Sequence, residues 1–170
     1  MTYKQPYLYF GLALVALLAW TMFHRPTAQT HSSSGPAPEI ELQTIIGESP
    51  VTLANTKGKV RVLVFWATWC EPCRAEIPTL IHLQETLGAK GLQVIGISVD
   101  EDPNLVKALH NEAHFNYPIL AATSKVIEDY GGISSVPTLF IIGRNGDLIE
   151  MIPGMIEDSM LEHEIETALN

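Results

Sequence analysis

The chain has 170 residues, enough for one ordinary domain and its attachments but short for two. Apolar residues make up 46% and charged residues 17%, a balance that excludes a disordered chain. The net charge of −9, with every acidic residue at Glu39 or later, argues against nucleic acid as a partner, because phosphate binding needs basic patches.

The first element in chain order is Tyr7 to Phe23, YLYFGLALVALLAWTMF, an uncharged run bracketed by Lys4 and by His24 and Arg25. About 17 residues at roughly 1.5 Å each lies near the lower limit for crossing a bilayer, and the aromatic ends suit interface anchoring. A cleaved signal peptide is the rival reading. It needs a small-x-small site, which Pro26 to Ala28 match poorly. Residues 1–26 are therefore expected to be an uncleaved single-pass anchor that contacts membrane lipid through residues 7–23. The amino terminus and Lys4 outweigh Arg25, which puts the amino terminus in the cytoplasm and the rest outside the plasma membrane. Residues 27–38, TAQTHSSSGPAP, have nothing to bury and read as a flexible linker. The folded domain is expected over 39–170.

Within it, Ile40 to Ile46 and Val51 to Leu53 read as a small hairpin around Gly47. Val60 to Trp66, rich in β-branched and aromatic residues, suits a strand buried on both faces. Cys70 to Leu87 carries apolar residues at helical spacing, with Pro78 as an expected kink. Leu92 to Val99 is a second buried strand. Asp102 and Pro103 start a helix over Asn104 to His114, and Ser124 to Tyr130 is a shorter helix closed by Gly131 and Gly132. Thr138 to Ile142 and Leu148 to Ile152 pair across the turn Asn145-Gly146, and Asp158 caps a last helix running toward Leu169. This alternation predicts an α/β sandwich with a central mixed sheet flanked by helices.

The chain has only two cysteines, which excludes a disulfide framework and leaves one pair to explain. Both lie in Trp66-Ala67-Thr68-Trp69-Cys70-Glu71-Pro72-Cys73, directly after the first buried strand. A thiol at a helix start faces free backbone N–H groups and the positive end of the helix dipole, both of which favour thiolate. Cys70 is thus the expected nucleophile. Cys73, one turn later on the same face, is placed to resolve a mixed disulfide. Pro72 suits the first helical turn, where its missing N–H costs nothing. Zinc is the first competing reading. His110 and His114 have finger-like spacing, but they lie about 36 residues beyond Cys73, where fingers use roughly 12 to 15. An inert disulfide across so short a loop would stabilise little. Merely buried thiols are disfavoured by the polar flanks Glu71 and Arg74.

The segment Phe65 to Pro78, FWATWCEPCRAEIP, resembles the active-site segment of membrane-anchored, extracytoplasmic thioredoxin-like reductases of the ResA and TlpA type. The resemblance runs from about Glu39 to the end. It implies a thioredoxin-like fold and a protein-disulfide oxidoreductase whose redox centre is a Cys70–Cys73 disulfide, with no other cofactor and no metal. Val136-Pro137-Thr138 matches the family's cis-proline loop, which packs beside the cysteines and whose backbone pairs with substrate. Trp69, Glu71, Pro72, Val136 and Pro137 are then the expected substrate contacts. In the ResA-like branch a glutamate at the position of Glu76 sits beside the active site. Three residues after Cys73, its carboxyl would be partly desolvated and able to exchange protons with that thiol. Classical thioredoxins carry a buried aspartate in the preceding strand, and here that position is Val64.

Glu71 sets a negative charge beside Cys70, which opposes the thiolate and favours a reducing couple. The family's clients are disulfide-containing proteins such as apocytochrome c, and its members are recharged by membrane proteins linked to cytoplasmic thioredoxin. The stretch Glu101 to Pro118 is a candidate client surface or simply a covering helix. A different class of function also fits the two thiols: a copper-binding or client-docking module without turnover, with Met151 or Met155 as a soft ligand. A peroxidase of the peroxiredoxin kind does not fit, because Leu63 and Ala67 stand where that family has Pro and Thr.

Overall fold

The structure, a computed structural model, describes residues 35–48 and 51–170. The expected anchor lies outside the described residues, among which no helix is long and apolar enough to cross a membrane. In chain order the elements are β1 (Thr44–Ile46), β2 (Val60–Trp66), α1 (Glu71–Leu87), β3 (Leu92–Ser98), α2 (Pro103–Ala113) and β4 (Ile119–Ala121). They continue with α3 (Ser124–Asp129), β5 (Thr138–Ile142), β6 (Leu148–Pro153) and α4 (Asp158–Leu169).

These strands form one six-stranded mixed sheet in the order β1-β4-β3-β2-β5-β6. β2 pairs in parallel with β3 from Val60↔Leu92 to Trp66↔Ser98, and antiparallel with β5 from Arg61↔Ile142 to Phe65↔Thr138. A strand with neighbours on both edges and layers on both faces has no polar side to show, which is why VRVLVFW reads as a continuous apolar run. One face packs Val62, Val64 and Val94 against Leu80 and Leu83 of α1 and Leu161 and Ile165 of α4, with both cysteines in the same cluster. The other packs Leu63, Ile95 and Ile97 with Val126 and a trio of rings, Phe65, Tyr130 and Phe140, whose centroids lie 4.9–5.7 Å apart. Each such side chain contributes about 1.5–3 kcal/mol relative to exposure. Arg61 is the polar exception on β2. It is 2% exposed, and its Nη1 donates to the Lys59 carbonyl at 2.7 Å.

Three expectations are corrected. Among the described residues the predicted hairpin of Ile40 to Ile46 with Val51 to Leu53 keeps only the bridge Glu41↔Thr52, and β1 instead pairs antiparallel with β4 at the sheet edge. The free edge of β4 offers β1 a ladder. Thr52 is meanwhile held in a local turn, its N–H donating to Asn55 Oδ1 at 2.9 Å while its Oγ1 accepts from Asn55 N. The linker does not reach Pro38, because Ala37 N donates to Gly146 O at 2.9 Å and Leu148 N to Gly35 O at 2.8 Å. Backbone groups pair whatever the composition, so a tract poor in apolar side chains can still be stitched to a hairpin. Finally, Glu157 and not Asp158 is the N-cap of α4, and it makes no side-chain capping bond. Asp102 does cap α2 as expected, accepting from Asn104 N at 2.9 Å.

The carboxyl ends of β2, β3 and β4 and the start of β5 share one end of the sheet. Loops gathered at the carboxyl ends of parallel strands are where α/β sheets place their sites, and the turn after β2 carries the cysteines.

Candidate active site

The chain leaves β2 at Trp66, turns through Ala67 to Trp69 and enters α1 at Cys70. Cys70 N donates to Ala67 O at 3.2 Å, which closes the turn. Cys70 is the N-cap of α1, extended at φ −86° and ψ 106°, and its Sγ accepts from Cys73 N at 3.2 Å. A cap whose acceptor is sulfur places one free N–H of the helix's first turn on that atom, which favours charge on it when reduced. Cys70 and Cys73 are joined in a disulfide with Cα atoms 5.3 Å apart. Their residues are only 5% and 3% exposed, while the neighbours Glu71, Pro72 and Arg74 stand in solvent. The pair is thus largely covered, while the residues beside it stand at the surface.

Two further segments complete the surroundings. Val136-Pro137 is a cis peptide, and the carbonyl oxygen of Val136 lies 3.6 Å from Cys70 Sγ. The loop is pinned by Thr138 Oγ1 donating to Ser135 O at 2.8 Å and by Gly154 N donating to Pro137 O at 2.8 Å. On the other side Trp69, 71% exposed, opens a groove of about 770 Å³ whose walls include Thr68, Glu71 and Arg74, with Leu109 and Glu112 of α2 facing them. The stretch after Glu101 therefore supplies one wall of the groove beside the cysteines.

Glu76 lies on the buried stripe of α1 with Cys73, Ile77 and Leu80. It is 3% exposed, and neither carboxylate oxygen has a hydrogen-bond partner among the described residues. Burial, and secondarily the charge of Asp158, push its carboxyl up to about 7. A carboxyl poised there takes up and releases protons near neutral pH, as a partner for a thiol must. The Tyr117 hydroxyl is raised as well, by burial and then by Glu76. Val64 is buried in the core cluster that contains both cysteines, so the aspartate position of classical thioredoxins is apolar here.

Sequence reasoning gave no role in the site to Thr68, Ser98, Asp100 or Tyr117, and it took Asp158 only as a helix cap. The polar residues Ser98 and Asp100, on either side of Val99 where β3 ends, were the available signal for two of them, since they sit at a strand's carboxyl end. Of the alternative ligands, His110 stacks on Phe115 with ring centroids 5.8 Å apart, and Met151 and Met155 are exposed. No group of three or more His, Cys, Asp or Glu that could hold a metal occurs among the described residues.

Comparison with known proteins gives consistent matches. Residues 34–151 match the AhpC/TSA family. The chain is 28% identical over 152 residues to the thiol-disulfide oxidoreductase ResA of Bacillus subtilis (strain 168), covering 88% of this chain and 84% of that one. It is 32% identical over 127 residues to the ResA of Bacillus thuringiensis (strain Al Hakam), covering 74% and 72%. Among solved structures, a thiol:disulfide interchange protein of the thioredoxin family from Chlorobium tepidum TLS aligns with a TM-score of 0.75 at 33% identity, over 81% of this chain and 97% of that one.

Proposed function

Since this chain belongs to the AhpC/TSA family and is a thiol-disulfide oxidoreductase of the ResA/TlpA type, we propose that it works as a reductase, with Cys70 as nucleophile, Cys73 as resolving thiol and Glu76 as their proton partner. The observation that carries this reading is the buried Glu76 carboxyl one turn beyond Cys73 on the same stripe of α1, with its proton affinity raised to about 7.

The reaction balances as follows. The Cys70 thiolate attacks one sulfur of a client disulfide, forming a mixed disulfide and releasing the client's other sulfur as thiolate. Cys73 gives its proton to the Glu76 carboxylate and attacks Cys70 Sγ. The client leaves as two thiolates, which take their protons from solvent, and the protein is left as the Cys70–Cys73 disulfide, two electrons having passed to the client. Recharging by an external dithiol runs the same steps backward, with Glu76 returning the proton to Cys73. The protein supplies the redox centre from its own sulfurs and uses no further cofactor.

Substrate contacts in this reading are Trp69, Glu71 and Pro72 on one side of Cys70 and Val136 and Pro137 on the other. The exposed Trp69 and the reach of the Val136 carbonyl to Cys70 support it. The clients are disulfide-containing proteins outside the cytoplasm, with apocytochrome c the leading case. The electron donor is a membrane protein of the thioredoxin-linked type, and residues 7–23 hold the chain in the plasma membrane with the domain on the extracytoplasmic side.

The direction of electron flow is tested by equilibrating the protein with a dithiol buffer at several pH values, alongside Glu76→Gln. A potential near or below roughly −270 mV, with a pH dependence altered by the substitution, is the expected result. One near roughly −120 mV would make the protein a disulfide donor.

A further inference from the structure

Asp100 lies just past the end of β3, 32 residues from Thr68 in sequence, yet its carboxylate grips the turn that presents Cys70. Oδ2 accepts from Thr68 N at 2.9 Å and Oδ1 from Thr68 Oγ1 at 2.7 Å. Oδ2 also accepts from Ser98 Oγ at 2.8 Å, and Ser98 Oγ in turn accepts from Asp100 N at 3.0 Å. Immediately beside this network Val99 N donates to Trp66 O at 2.9 Å. The turn from Trp66 to Thr68, which leads into Cys70, is therefore held to the residues just past β3 by a charged acceptor at Thr68 and a backbone bond at Trp66. Charge-assisted bonds of this kind are short and resist loosening more than neutral ones.

We propose that Asp100 is a positioning residue for the redox pair: by holding Thr68 it fixes the turn from Ala67 to Cys70 so that the Cys70 sulfur sits on the Cys73 N–H and beside the Val136 carbonyl. This deepens the reading of Cys70 as the nucleophile and rests on it. The two effects of Asp100 on that thiol have opposite signs. As a clamp it stabilises the Cys70 thiolate, because a seated sulfur keeps the helix N–H. As a bare negative charge it would oppose the thiolate. Other charged groups near the turn include Glu71 and Arg74 on α1 and Glu112 on α2, which line the same groove, Glu76 on α1 with Asp158 of α4 acting on it, and Glu101 and Asp102, which follow Asp100 in sequence; substitutions at Asp100 or Thr68 leave these residues in place.

The test is the pH profile of Cys70 alkylation by iodoacetamide in the reduced full chain, for wild type, Asp100→Asn, Thr68→Val and Thr68→Ser, each paired with a melting temperature. Positioning predicts that Asp100→Asn raises the midpoint by about half a pH unit or more, so that alkylation well below the midpoint slows about threefold or more. Thr68→Val shifts it the same way by less, and Thr68→Ser, which keeps the hydroxyl, restores it. A midpoint lowered by Asp100→Asn would show the charge acting through space. A midpoint unmoved while the melting temperature falls would show a network that only stabilises the fold. Either result overturns the proposal. Should Asp100→Asn not fold, the Thr68 pair, which changes no charge, decides on the same criterion. Reduction of insulin by the wild type is scored separately: its failure sinks the reductase reading and leaves the midpoints interpretable.

Discussion

The carbonyl oxygen of Val136 lies 3.6 Å from Cys70 Sγ although 66 residues separate them in sequence. In the disulfide the sulfur has no proton to donate, so this is a packing contact. It brings a backbone acceptor of the loop before β5 to the atom that an incoming client sulfur must approach. In the proposed mechanism a client strand that pairs with this carbonyl is aimed at Cys70, and the labour is divided between the two cysteines.

That division predicts an asymmetry between single variants. Cys73→Ala is expected to halt after the first exchange and to accumulate a mixed disulfide with a peptide or protein disulfide substrate, seen as an added mass that dithiothreitol removes. Cys70→Ala is expected to form no such adduct under the same conditions, because the sulfur that receives the helix N–H and lies beside the Val136 carbonyl is that of Cys70 and not of Cys73. Equal trapping by both variants would reverse or erase the assigned roles.

Glu76 makes stability depend on pH with a defined sign. Its carboxyl is raised from the usual 4.5 to about 7 in the fold, so between these values the folded state binds more protons than the unfolded one. The contribution is fully present below pH 4.5 and is lost as pH rises through 7, a difference of about 3 kcal/mol for a shift of this size. Urea unfolding of the oxidised protein at pH 5 and pH 8 should therefore show a larger drop for wild type than for Glu76→Gln. Equal drops would mean that the carboxyl is not desolvated.

Gly96 on β3 is a test of packing next to this site. A Cβ added there would lie 2.5 Å from Ile119 Cδ1 and 3.1 Å from Trp66 Nε1, inside the core. Gly96→Ala is expected to destabilise the fold by about 1–3 kcal/mol, since a methyl group forced into a filled interior displaces its neighbours. Thermal unfolding with no loss of stability would show that Ile119 moves aside freely.

Trp69 should behave in the opposite way. Being 71% exposed, it can be replaced by Ala with a change in stability of about 0.5 kcal/mol or less. If it is a client contact, KM for a protein disulfide substrate rises by about tenfold while the rate with a small disulfide such as oxidised dithiothreitol is unchanged. An unchanged KM would remove Trp69 from the contact surface.

Much of this molecule was legible without coordinates because its signals are local. β2 and β5 were predicted at the bounds the structure shows, since a run of β-branched and aromatic residues closed by turn residues specifies a buried strand through its own composition. The cap at Cys70 and the placing of Cys73 and Glu76 on one stripe follow from helical spacing alone. The hairpin at β1 failed for the converse reason. Its three residues satisfy their backbone groups on whichever free edge is nearest, and that edge belongs to β4, more than 70 residues away.

By itself, then, the sequence determined the reactive pair and its helix, because the helical period and the free N–H groups of the first turn act over a few residues. The family resemblance brought the Val136 loop and Glu76 to the neighbourhood of the cysteines, but only the tertiary structure decided that the Val136 carbonyl itself meets Cys70, that Asp100 clamps Thr68, and how deeply Glu76 is sealed from water. Each depends on which distant elements cover a given atom, and burial is a property of the packed whole that no local spacing encodes.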